Sequence, residues 1–156
     1  MVSRLSALKL LAVVEAPLAV VGLASGLAMM FDPSGKDIGL SLDLLKNAPV
    51  GDFAFVGLFL FAFAGVLPAV AAYGLWTKKR WRWTDAVNKW TGQNWAWTAT
   101  VTLGIVLLLW IGVELISVGP LTGIGGVMQI IITLMGLLIL GLVTRPSMRF
   151  DMKLEG

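Results

Sequence analysis

The chain has 156 residues, of which 58% are hydrophobic and 13% charged, with a formal net charge of +3. Soluble domains run at about 45–50% apolar and about 25% charged residues, so the solvent for most of this chain is lipid. It has no cysteine and no histidine, which excludes disulfides, thiolate chemistry, imidazole metal or haem ligation and His-based acid/base catalysis, and leaves any proton chemistry to carboxylates, Tyr or Lys.

Four apolar stretches, residues 5–31, 53–76, 95–118 and 121–143, are each long enough to cross a hydrocarbon core of about 30 Å at about 1.5 Å per helical residue. They use nearly the whole chain, so residues 1–156 are read as a single all-α domain, an integral membrane four-transmembrane-helix bundle. The first stretch imitates a secretory signal, since Arg4 and Lys9 lie before its main apolar run. It is longer than a signal's apolar region of about 7–15 residues and it contains Glu15, so a retained span is expected.

Along span one, Glu15, Ala19, Gly22 and Gly26 recur at spacings that place them on one helical face. A stripe of small residues lets helix backbones approach closely when lipid is as apolar as leucine. Span two repeats the device with Gly57, Phe61, Gly65, Ala69 and Ala72, which predicts a tight pair. Glu15 then faces protein at about 15 Å from the cytoplasmic end, where an ionised carboxylate costs at least about 2.5–3.5 kcal/mol. It is expected to be protonated or paired. One candidate pairing is a bond to a carbonyl freed by a proline, that of Val13 through Pro17 or that of Ala64 through Pro68. The alternatives are a proton or ligand path and an intermolecular contact.

Asp32-Pro33-Ser34-Gly35 reads as a helix stop and turn, because Pro removes a donor, Gly admits positive φ, and Asp and Ser side chains bond locally. Ser41 is placed to cap a short interfacial helix over "LDLLKNA", ended by Pro49, and Asp52 to cap span two. The segment from Asp32 to Asp52 is thus expected to form an outer cap.

After span two, "TKKRWRWTDAVNKW" concentrates charge and indole. Trp76, Lys78, Lys79, Arg80, Trp81, Arg82 and Trp83 are expected to anchor the chain at the membrane interface through anionic headgroups. Docking of a protein partner is the alternative, and base stacking on nucleic acid a remote one. In the second half Glu114 and Gln129 lie at equal depth on either side of a tight turn through Gly119-Pro120, about 6 Å from the outer boundary. They are expected to bond across the hairpin. The alternative is an outward-facing polar pocket under the cap, lined by Glu114, Gln129, Trp110 and Thr133. No phosphate loop, metal-ligand spacing or nucleophile motif is present, and no cofactor is expected.

Ten of the twelve Lys/Arg fall on one side of this four-pass arrangement and only Lys36 and Lys46 on the other. The positive-inside rule places both termini and the middle loop in the cytoplasm. The pattern "DPSG...GLSL.LL...P..DF...GLFLF...G.LP..AAYGLW", with "W.GVELI..G" in span three and a polar residue early in span four, resembles a group of small, uncharacterised prokaryotic four-span membrane proteins. The resemblance runs from about Gly22 to Leu142, and Val50 departs from it where an aromatic precedes "DF". It implies the architecture and a prokaryotic inner membrane, and lends no activity.

The sequence therefore predicts a non-catalytic membrane protein acting through association, as a homo-oligomer or an accessory subunit of a membrane complex. A small transporter or proton-linked channel using Glu15 and Glu114 is the alternative, opposed by the lack of an internal repeat and by the vertical separation of the two carboxylates. A lipid-modifying enzyme ranks third, since these positions form no obvious acid/base pair.

Overall fold

The computed structural model describes residues 4–153, apart from the side chains of residues 4–7, 124 and 149–151. It is all-helical, with four helices long and apolar enough to cross a membrane. Span one is α1, Arg4–Phe31. Span two is composite: α2, Ala54–Phe59, passes through a π-helical stretch, Leu60–Val66, into α3, Leu67–Thr77. A short α4, Asp85–Thr91, lies in the middle loop. Spans three and four are α5, Trp95–Ser117, and α6, Gly123–Val143, and the chain returns through α7, Pro146–Asp151.

The π stretch has a chemical cause in the sequence. Pro68 has no amide hydrogen to give Ala64, and the Leu67 N–H reaches back five residues to the Ala62 carbonyl. The widened turn lies against α1 at its small residues. A Cβ on Gly22 would collide with the Ala64 carbonyl, and one on Gly26 would come within 2.6 Å of the Phe61 nitrogen and 2.7 Å of the Gly57 oxygen. Spans one and two therefore pack backbone to backbone, as the small-residue stripes predict. Spans three and four approach in the same way, with Gly104 under Leu140 and Gly136 under Leu108.

The outer cap follows from its turn residues. Asp32 accepts through Oδ1 from the Ser34 hydroxyl at 2.6 Å and through Oδ2 from the Asp37 N–H at 2.9 Å. Gly35 sits at φ 75°, facing the Phe53 ring. The Phe53 N–H donates to the Pro33 carbonyl at 2.9 Å, which ties the start of span two to the end of span one. Ser41 accepts from the Asp43 N–H and Asp52 from the Ala54 N–H. The interfacial helix is shorter than "LDLLKNA": it is one 3-10 turn, Leu42–Leu45, preceded by another, Lys36–Ile38, and only Leu45 of the longer turn is buried.

The main core lies toward the opposite end, where Leu8, Leu11, Leu75, Trp95, Leu103, Ile139 and Val143 meet. Met148 and Met152, one helical turn apart in and after α7, are buried in the same cluster. The segment after span four thus closes the base of the bundle. The backbone N–H of Asn94, the N-cap of α5, donates to the Met152 carbonyl at 2.8 Å, and the Trp97 indole N–H donates to the Val143 carbonyl at 3.0 Å.

Candidate functional site

Three polar loci were expected from the sequence, and the fold treats them differently. At the outer end of the second hairpin, the Gln129 amide nitrogen donates to Glu114 Oε1 at 2.9 Å and to the Gly119 carbonyl at 3.3 Å. Its amide oxygen accepts from the Leu121 N–H at 3.0 Å. One side chain thereby satisfies the partner helix and both ends of the turn, and it is 7% exposed. Glu114 is half-buried at the other end of this lock.

The outer pocket takes a different form from that expected. Trp110 stacks on Phe59 of span two, with ring centroids 4.2 Å apart, and the Thr133 hydroxyl donates to the Gln129 carbonyl. What opens beside Gln129 and Thr133 is a groove of about 340 Å³ on α5 and α6, walled by Ile111, Leu115, Leu121, Ile130 and Leu134. No residue of the outer cap lines it, and neither Glu114 nor Trp110 does.

Glu15 is fully buried. Among the described residues neither carboxyl oxygen has a hydrogen-bonding partner, so the expected bond to a freed carbonyl is not made. The register explains this. Gly22 faces Ala64, and a further seven residues along α1 separate Glu15 from that carbonyl by about 10 Å. Val13 and Pro17 stand on the exposed side of α1, away from the Glu15 side chain. The polar neighbour of Glu15 is instead the hydroxyl of Thr100 on α5. That residue is also fully buried, and its oxygen likewise lies outside hydrogen-bonding geometry. A buried unpaired carboxyl beside a buried unpaired hydroxyl is uncommon enough in folded proteins to mark a position.

The aromatic-basic loop divides into two roles. Trp76 and Trp83 are 62% and 75% exposed, and Lys78, Lys79, Arg80 and Arg82 are exposed with them. Trp81 turns inward and stacks on Trp95 at 4.4 Å, with Trp83 at 5.3 Å and Tyr73 at 6.0 Å. The sequence missed Thr84 and Asn88, both 2% exposed, which join through an amide-to-hydroxyl bond of 3.2 Å beneath α4. Their spacing of four residues was the available signal, hidden by the density of charge around it.

Outside the membrane-spanning helices, Asp32 is held below the ordinary aspartate range, first by the Asp37 N–H and next by the Ser34 hydroxyl. Among the described residues no group of three acidic side chains is placed to hold a metal ion. The chain is therefore a multi-pass membrane protein by the length and composition of four helices, and no protein family, curated protein or solved structure matches it.

Proposed function

We propose that the chain is a non-catalytic membrane protein of a prokaryotic inner membrane, with both termini cytoplasmic, that works by lateral association as a homo-oligomer or as an accessory subunit. The carrying observation is the outer half of α6. Between Gly123 and Met135, setting aside Ile124, Gln129 alone is buried, and it is buried against α5. The neighbouring surface is the groove described above, with Gly126 and Thr133 giving it a narrow floor where a helix backbone can approach. The resemblance to small four-span proteins supports the architecture of this reading and adds no activity to it.

The chain has no native cysteine, so a single cysteine at Ile130, labelled with a photoreactive group in native membranes, reports what lies in the groove. Protein adducts, to a second copy or to another chain, are expected; adducts to lipid alone contradict association through this face.

A second reading is favoured by one observation, the unpartnered carboxyl of Glu15 beside Thr100. A proton-linked path would use that carboxyl, because an acid in an apolar core can bind and release a proton where an amide cannot. Wild type, Glu15→Gln and Glu15→Leu are to be compared for proton flux in sealed liposomes and for folded yield. Association predicts no flux in any of the three, with folded yield kept in all of them, since Leu removes a carboxyl that makes no hydrogen bond. Flux in wild type that disappears in Glu15→Gln establishes the second reading in its place.

A further inference from the structure

Four cations, Lys78, Lys79, Arg80 and Arg82, follow span two within five residues, and all four are exposed. Lys78 closes α3 at φ 51°. The carbonyls of Lys78 and Lys79 then accept from the Asn94 amide at 3.5 Å and the Trp95 indole N–H at 2.8 Å, so this backbone is pinned to the start of α5. Trp81 is extended, at φ −111° and ψ 134°, and Arg82 opens a 3-10 turn, Arg82–Thr84. The ring of Trp81 stacks on Trp95, and the exposed Arg80 and Arg82 flank it in the chain, with Cα atoms about 6–7 Å apart across the extended residue.

Neither guanidinium is engaged by the protein among the described residues, and Asp85 is the single acid between residues 78 and 92. The depth of this pair is marked by its neighbours. Trp76, in the last turn of α3, is largely exposed with Lys9 Nζ 5.6 Å from its ring centroid, and Trp83 is exposed as well. Indoles and lysines at span ends sit at headgroup level. A pair of guanidinium forks at that level matches a phosphate oxygen set with net negative charge.

We infer that the exposed pair Arg80 and Arg82 is a binding site for the phosphate of an anionic phospholipid headgroup, held in place by the stack of Trp81 on Trp95. The flanking exposed indoles select a lipid over free phosphate, because they bury into the same interface that carries the headgroup.

Delipidated protein in mild detergent is titrated with phosphatidylglycerol and, separately, with phosphatidylcholine, and bound lipid is counted by native mass spectrometry. Wild type should retain phosphatidylglycerol at about tenfold lower concentration than phosphatidylcholine. The double variant Arg80→Gln/Arg82→Gln should lose that preference, while Lys36→Gln/Lys46→Gln at the outer end should keep it. Equal retention of the two lipids, an unchanged preference in the arginine variant, an equal loss in the outer variant, or displacement by inorganic phosphate at concentrations matching the lipid would each overturn the site. If the glutamine variant yields no folded protein, Arg80→Lys/Arg82→Lys decides. It keeps the charge without the fork, so weaker phosphatidylglycerol binding supports the site and unchanged binding refutes it.

Discussion

Gln129 makes three hydrogen bonds from one half-turn of α6, to Glu114, Gly119 and Leu121, and it is the residue whose removal leaves most unsatisfied. Measured interhelical bonds in membranes contribute about 1 kcal/mol or less each, and an orphaned buried group adds its own desolvation cost. Gln129→Leu should therefore lower stability in detergent by about 2 kcal/mol, more than Glu114→Leu at about 1 kcal/mol. Glu114→Gln should be tolerated, because an amide oxygen can still accept from Gln129. Equilibrium unfolding of the three variants checks the order. At the other end of the hairpin's sequence signal, equal depth across a Gly-Pro turn was enough to pair Glu114 with Gln129. The polar neighbour of Glu15 was not legible, because it depends on the register between α1 and α5, which share no turn.

Asp32 belongs to the same scale. Its carboxylate is stabilised in the folded cap, so its folded pKa lies below its unfolded one. The contribution is present above the unfolded value, about 3.9, and is lost as pH falls through the folded value. Acidification below about pH 4 should loosen the segment from Asp32 to Asp52, read as faster amide exchange of Asp37, and Asp32→Asn should remove that pH dependence. Exchange that stays independent of pH in wild type would show that the carboxylate does not hold the turn.

At the scale of elements, the pairing of spans one and two rests on glycines that have no room for a Cβ. Gly22→Ala collides with the Ala64 carbonyl exposed by Pro68, and should destabilise by about 1–3 kcal/mol. Gly141→Ala meets nothing within 4 Å and should be neutral or stabilising by up to about 1 kcal/mol, since alanine loses less backbone entropy in a helix. Thermal unfolding of both variants separates packing from propensity. The stripes of small residues were legible in the sequence through their helical spacing, and so were the caps at Ser41 and Asp52. The π stretch was not, because Pro68 announces a missing bond without saying how the chain absorbs it. The burial of Met148 and Met152 was hidden for another reason: a short amphipathic turn after a long apolar span carries too little periodicity to stand out.

For the whole molecule, the proposed orientation rests on the charge asymmetry. Cysteine at Asn47 should be labelled by an impermeant thiol reagent on intact cells, and cysteine at Ala86 should not; both positions are exposed, so accessibility within the fold does not decide the result. The reverse pattern would invert the orientation. The central claim is that this bundle works joined to another chain, with Glu114 and Gln129 spent on its own hairpin and the outer half of α6 left to a neighbour. The most direct test is the mass of the particle cut from native membranes together with its surrounding lipid, measured without detergent. The account predicts a particle heavier than one chain by a whole number of copies or by a stoichiometric partner, reduced to one chain by Ile130→Trp, which fills the groove. A single chain in the wild-type particle would contradict it.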